Sequence, residues 1–82
     1  MTHIHGKVIW TEAIFDRYHE GEMGLVLYFS DNSFRDMNYL NWEDSHPTTL
    51  ENLKLLRKGD LIEYATWNGY AVEKWFCDVR LK

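Results

Sequence analysis

At 82 residues and a formal charge of −4, the chain is sized for one domain whose single core is only just sufficient. One cysteine excludes an intrachain disulfide and a Cys-rich metal site, and no apolar run approaches the ~20 residues of a membrane-spanning helix. The acidic balance argues against indiscriminate polyanion binding. Charge is uneven, however: residues 1–48 hold three basic and eight acidic side chains, residues 49–82 six and five, so a local basic face remains available.

Four Trp, five Tyr and four Phe supply burial that a short chain otherwise lacks, at about 150–250 Å² per ring. The first residues carry no basic segment followed by an apolar run, so no signal peptide is expected and a cytoplasmic location is. Residues 3–15 alternate as a strand. Ile4, Val8, Trp10 and Ile14 lie on one face, His3, His5, Lys7, Thr11 and Ala13 on the other, and Ile9 is out of pattern. Residues 16–24 read as a polar loop, with Gly21 and Gly24 as breakers and Arg17, Tyr18 and His19 near its start.

Leu25–Phe29 and Phe34–Tyr39 read as a hairpin turning at Asp31-Asn32. Taking those two as the turn pairs Phe29 with Phe34, Tyr28 with Arg35 and Val26 with Met37. Leu25, Leu27, Phe29 and Phe34 then point into the core, while Val26, Tyr28, Arg35 and Met37 share the other face. After an irregular acidic stretch, Thr48 and Glu51 stand in capping-box spacing and Leu50, Leu53 and Leu56 form an apolar stripe. A helix over 49–58 follows, with Arg57 and Lys58 suited to its C-terminal dipole and Gly59 to the left-handed residue past its end.

The last third centres on Asn68-Gly69, the pair that best tolerates a two-residue type I′ turn. That turn sets Trp67 opposite Tyr70, Ala65 opposite Val72, Glu63 opposite Lys74 and Leu61 opposite Phe76. On the other side it sets Tyr64 against Glu73 and Ile62 against Trp75. Cys77, Val79 and Leu81 then share one face, and Asp78, Arg80 and Lys82 the other.

The order strand, strand, strand, short helix, strand, strand resembles the oligonucleotide/oligosaccharide-binding (OB) fold, a five-stranded Greek-key barrel. The expected fold class is therefore all-β with one short helix, one OB-like domain over 1–82. An SH3-like barrel ranks second, because it normally has no such helix before its fourth strand. The segment Gly6-Lys7-Val8-Ile9-Trp10 echoes the first strand of the cold-shock branch one position out of register. That branch's aromatic-rich motif is missing, and the chain is not assigned to it.

The resemblance implies binding across the outer face of strands two and three and the loops joining strands one to two and four to five. Arg17, Tyr18, Tyr28, Arg35, Trp67 and Tyr70 could converge there, with Lys7 and Lys74 at the margin. Flat rings for unstacked bases and scattered cations for phosphates are what a single-strand binder needs. Each residue also has a plainer reading. Tyr28 beside Arg35, and Trp67 beside Tyr70, can be cross-strand packing pairs, and Trp10, Trp75 and Cys77 fall at inferred core positions.

His3-x-His5 lacks a third metal ligand, and adjacent Glu43-Asp44 read as a solvated loop. No phosphate-cradling glycine motif, metal-binding helix motif or nucleophile elbow occurs. The expectation is a non-catalytic protein without cofactor or metal, with single-stranded nucleic acid as partner and DNA slightly ahead of RNA. The alternative is a module whose acidic first half meets a basic protein, in the extreme as a DNA mimic.

Overall fold

The computed structural model describes residues 8–39, 46–67 and 74–82. Strands β1 (Val8–Glu20), β2 (Gly24–Phe29) and β3 (Phe34–Asn38) precede helix α1 (His46–Lys54), and β4 (Leu61–Trp67) and β5 (Asp78–Leu81) follow it. All strand pairs are antiparallel, in the order β3-β2-β1-β4-β5. No helix among the described residues is long and apolar enough to cross a membrane.

β1 runs further along the chain than its alternation suggested, to Glu20, and takes in most of the expected polar loop. Its first part, Val8–Ile14, pairs with β4. Its second part pairs with β2, after a break in register between Phe15 and Arg17. An extra residue in one strand bends it and sharpens its twist, so Asp16 lets a single strand serve two partners. The true β1–β2 turn is Gly21-Glu22-Met23, closed by the Gly21 N–H donating to the Gly24 carbonyl at 2.9 Å. Arg17, Tyr18 and His19 read as loop because a strand with one wet face, interrupted by a bulge, loses the clean alternation that marks it.

Val8, Trp10 and Ile14 do share a face, and Val8 and Trp10 pack against the core as expected. Residues directly opposite in a ladder share a side, and Trp10 lies opposite the buried Ala65, with the Arg80 guanidinium 3.6 Å from its ring centre. Further along the strand the other face turns inward, where Ala13 packs against the core opposite the buried Ile62. Ile14 and its partner Leu61 are exposed.

The β2–β3 hairpin turns where expected but one residue out of register. The Phe29 N–H donates to the Ser33 carbonyl and the Asn32 N–H to the Phe29 carbonyl, which makes the loop Ser30-Asp31-Asn32. Asn32 holds φ at 72°, and Asp31 Oδ1 accepts the Ser33 N–H at 2.9 Å. A type I turn ending in a left-handed residue is a common three-residue connection, and Asn tolerates that conformation better than most side chains. The observed pairs are Tyr28 with Phe34, Leu27 with Arg35, Val26 with Asp36 and Leu25 with Met37. A slip of one residue sends every side chain to the other face. Met37 is therefore buried and Phe34 is on the outside, opposite to expectation; Leu25, Leu27 and Phe29 are in the core as expected.

The helix begins at His46 rather than past Thr48, with Pro47 in its first turn, where its missing N–H costs nothing. Thr48 is consequently inside the helix and forms no capping box. Leu53 is fully buried, with Leu50 and Leu56 packed against the same core. Gly59 does take a positive φ of 95°, in the 57–60 turn beyond the helix. Asn52 Nδ2 donates to the Val79 carbonyl at 3.0 Å, and the Asp78 carboxylate accepts the Val79 N–H at 2.8 Å. Both moves help to blunt the β5 edge.

The last hairpin departs most from the local signal. Ala65 faces Asp78, Tyr64 faces Val79, Glu63 faces Arg80 and Ile62 faces Leu81, so none of the expected β4 pairs within the described residues forms. The expected Asn68-Gly69 turn lies outside the described residues. The cause is visible just before β5. The Asp36 N–H donates to the Lys74 carbonyl at 2.6 Å and the Asp36 carbonyl accepts the Phe76 N–H at 2.9 Å. Asp36 and Trp75 thus form an isolated parallel bridge, which takes 74–76 away from β4 and buries Phe76 and Cys77. Tertiary burial sets the register of β4. The sheet is not closed into a barrel by a ladder; among the described residues, this bridge ties β3 to the run that leads into β5.

Candidate nucleic-acid interface

The ladders place Arg17 opposite Tyr28 and Tyr28 opposite Phe34, in one row across the outer face of β1, β2 and β3. The Arg17 guanidinium carbon stands 4.1 Å from the Tyr28 ring centre. The Tyr28 and Phe34 rings are 6.3 Å apart and tilted by 44°, and Lys74 Nζ stands 5.0 Å from the Phe34 ring. Two rings are thus flanked by a cation at each end. Phe34 remains 37% exposed.

Asp16 holds the first of these cations. Arg17 Nη1 bonds to Asp16 Oδ2 at 2.5 Å, and Lys58 Nζ approaches Oδ1 at 3.4 Å. Burial works to raise the Asp16 carboxyl, but the bonds and charges of Arg17 and Lys58 prevail and hold it below its usual value. The pair fixes Arg17 while leaving its side chain 65% exposed. Lys74, expected to meet Glu63, is not drawn there. Glu63 instead accepts from Arg80 Nε at 2.9 Å and stands 3.8 Å from Lys82 Nζ.

The other expected members are placed differently. Arg35 lies opposite the buried Leu27, on the core side, 5.4 Å from the Tyr64 ring that stacks on Phe29. Tyr18 also lies opposite Leu27 and packs against the core. Trp67 ends β4 opposite Val8, but its side chain lies outside what the structure describes, and Lys7 and Tyr70 lie outside the described residues. Arg17, Tyr28 and Lys74 are therefore brought together. Phe34 joins them without having been singled out; a three-residue reading of Ser30-Asp31-Asn32 is the signal that would have turned it outward.

One rung further along the same face lie His19, Val26 and Asp36, each two residues from its counterpart in the row. They line a cleft of about 480 Å³ together with Met23, Met37, Asn38 and Trp75. Trp75, expected in the core, is half-buried at this edge. Among the described residues no group of three or more His, Cys, Asp or Glu side chains could hold a metal ion. Comparison with protein-family models, with curated proteins and with solved structures yields no significant match for this chain.

Proposed function

We propose that the chain is a small, non-catalytic OB-like domain that binds single-stranded nucleic acid by stacking bases on Tyr28 and Phe34, with Arg17 and Lys74 meeting the phosphates. The row itself carries the reading: two rings with a cation at each end, on the outer face of strands two and three, where OB barrels bind. The barrel reading draws support from the element order and from the bridge between β3 and the run before β5, since OB barrels are partly open. Stacking contributes about 1–3 kcal/mol per base by alanine substitution, so two rings with two cations suit modest affinity and little sequence preference. DNA is put ahead of RNA by analogy with other acidic OB proteins, in a cytoplasmic setting. The acidic-module alternative loses part of its surface to internal pairs, because Glu12 holds Lys82 and Asp16 holds Arg17 and Lys58.

Fluorescence anisotropy of labelled oligo-dT and oligo-U, with a duplex control, tests the proposal at low and near-physiological salt. Saturable single-strand binding that weakens with salt is expected. No binding at low salt, where it is most favoured, overturns it.

A further inference from the structure

The cleft beside the stacking row differs from it in charge. Among its described lining residues are Glu22, Asp36 and His19 and no lysine or arginine, so a phosphate is repelled there while a neutral group that donates hydrogen bonds is welcome. Its size falls in the range of small-ligand sites. Asp36 spends its backbone N–H on the Lys74 carbonyl and its carbonyl on the Phe76 N–H, which locks its position. Its carboxylate takes no hydrogen bond or ion pair among the described residues.

Resting on the single-strand reading, we infer that this cleft receives one guanine base of the bound strand, walled by the Trp75 indole and read by the Asp36 carboxylate. An ionised carboxylate offers two acceptors and no donor. Guanine presents two donors side by side on its pairing edge, N1–H and the N2 amino group. Thymine and uracil present carbonyls on either side of one N–H, and adenine and cytosine set a ring-nitrogen acceptor beside their amino group. Only guanine matches both carboxylate oxygens. The cleft's rung lies about 7 Å from the stacking row, from two residues at about 3.4 Å each, a gap that one step of an extended strand spans. The base enters the acidic cleft while its phosphate stays with Arg17.

The experiment compares oligo-dT with the same oligomer carrying one central dG, and adds free guanosine followed by NMR at Trp75 and Val26. The dG oligomer is expected to bind about tenfold more tightly, within the range of one bidentate base contact. Asp36→Asn, isosteric and with its backbone bonds kept, is expected to remove most of that preference and leave oligo-dT binding unchanged. Val26→Met, which fills the cleft from the facing strand and leaves the Asp36 carboxylate itself in place, is expected to do the same. Equal binding of the two oligomers by the unaltered protein overturns the cleft inference and leaves the stacking row standing. Guanosine shifting Trp75 and Val26 while no oligomer binds supports the cleft and removes the row.

Discussion

Arg17 and Tyr28 face each other across the β1–β2 pair, with the guanidinium 4.1 Å from the ring centre, and Asp16 anchors the same guanidinium from its own strand. A cation held by both a ring and a carboxylate has little rotamer freedom left to lose on binding. Arg35, two strands away in the expected surface, instead spans Tyr64 on the core side. The two arginines therefore separate binding from stability. Arg17→Ala weakens oligo-dT binding and makes its salt slope shallower by about 0.7, the increment for one phosphate on a single strand. Arg35→Ala leaves that slope unchanged and lowers the unfolding midpoint. Salt titrations and urea melts of both variants check this.

Phe34→Ala costs about 1–3 kcal/mol of binding, one stacked base, with a small change in thermal stability because the ring is already 37% exposed. Phe29→Ala is the contrast, since Phe29 is buried and stacked on Tyr64 at 4.8 Å. It costs about 3–5 kcal/mol of stability. Calorimetry and anisotropy on the pair separate the two roles.

Acid acts on the anchor of Arg17. The Asp16 carboxyl is held below its usual value, so its contribution to stability is complete above about pH 4, the ordinary aspartate range, and is lost as pH falls through the lowered value. Asp31, lowered by the bonds it accepts from Ser33, follows the same sign in the β2–β3 turn. Unfolding midpoints of the native protein therefore fall more steeply below pH 4 than those of Asp16→Asn.

Gly24 sits where a side chain has no room. A Cβ there would fall 1.9 Å from the Met37 carbonyl oxygen, within the β2–β3 ladder that pairs Gly24 with Asn38. Gly24→Ala forces the strands apart and destabilises by about 1–3 kcal/mol, the usual cost of overpacking. Urea unfolding measures it, and a lowered midpoint with an unchanged slope is expected.

Burial, with the nearby Asp78 charge, pushes the Cys77 thiol up to about 11. Its Sγ sits 3.5 Å from the Ala65 carbonyl oxygen. The thiolate is the reactive form, so Ellman's reagent at pH 8 leaves the folded protein unmodified and labels it at once in denaturant. Fast labelling of the native protein contradicts the buried placement.

Local patterns made the strand and helix inventory legible, and the reasons for the misses are equally local. Leu25, Leu27 and Phe29 alternate cleanly, and their inward face is read correctly. Nothing in Asp31-Asn32 says whether the turn holds two residues or three, and that one residue decides the faces of Phe34, Arg35 and Met37. The bulge at Asp16 hid the last five residues of β1 in the same way. Asn68-Gly69 is a strong signal for two adjacent strands, yet Phe76 is buried by pairing with β3, a contact separated by some forty positions that no short window can contain. The candidate site suffered from the same limit. Tyr28 and Arg17 were found as residue types, but their company depended on registers set at a distance.

The seam between Asp36 and the 74–76 run has one more effect. Lys74 stands over Phe34 only while that seam is shut, so a strand lying along the row grips the first and last thirds of the chain at once. A ligand that recognises only the shut form favours it by mass action. Occupancy is then felt as a latch: the amides of Asp36 and Phe76, which close the seam, exchange their hydrogens more slowly, and fraying of the C-terminal strand is held in check from the opposite side of the molecule.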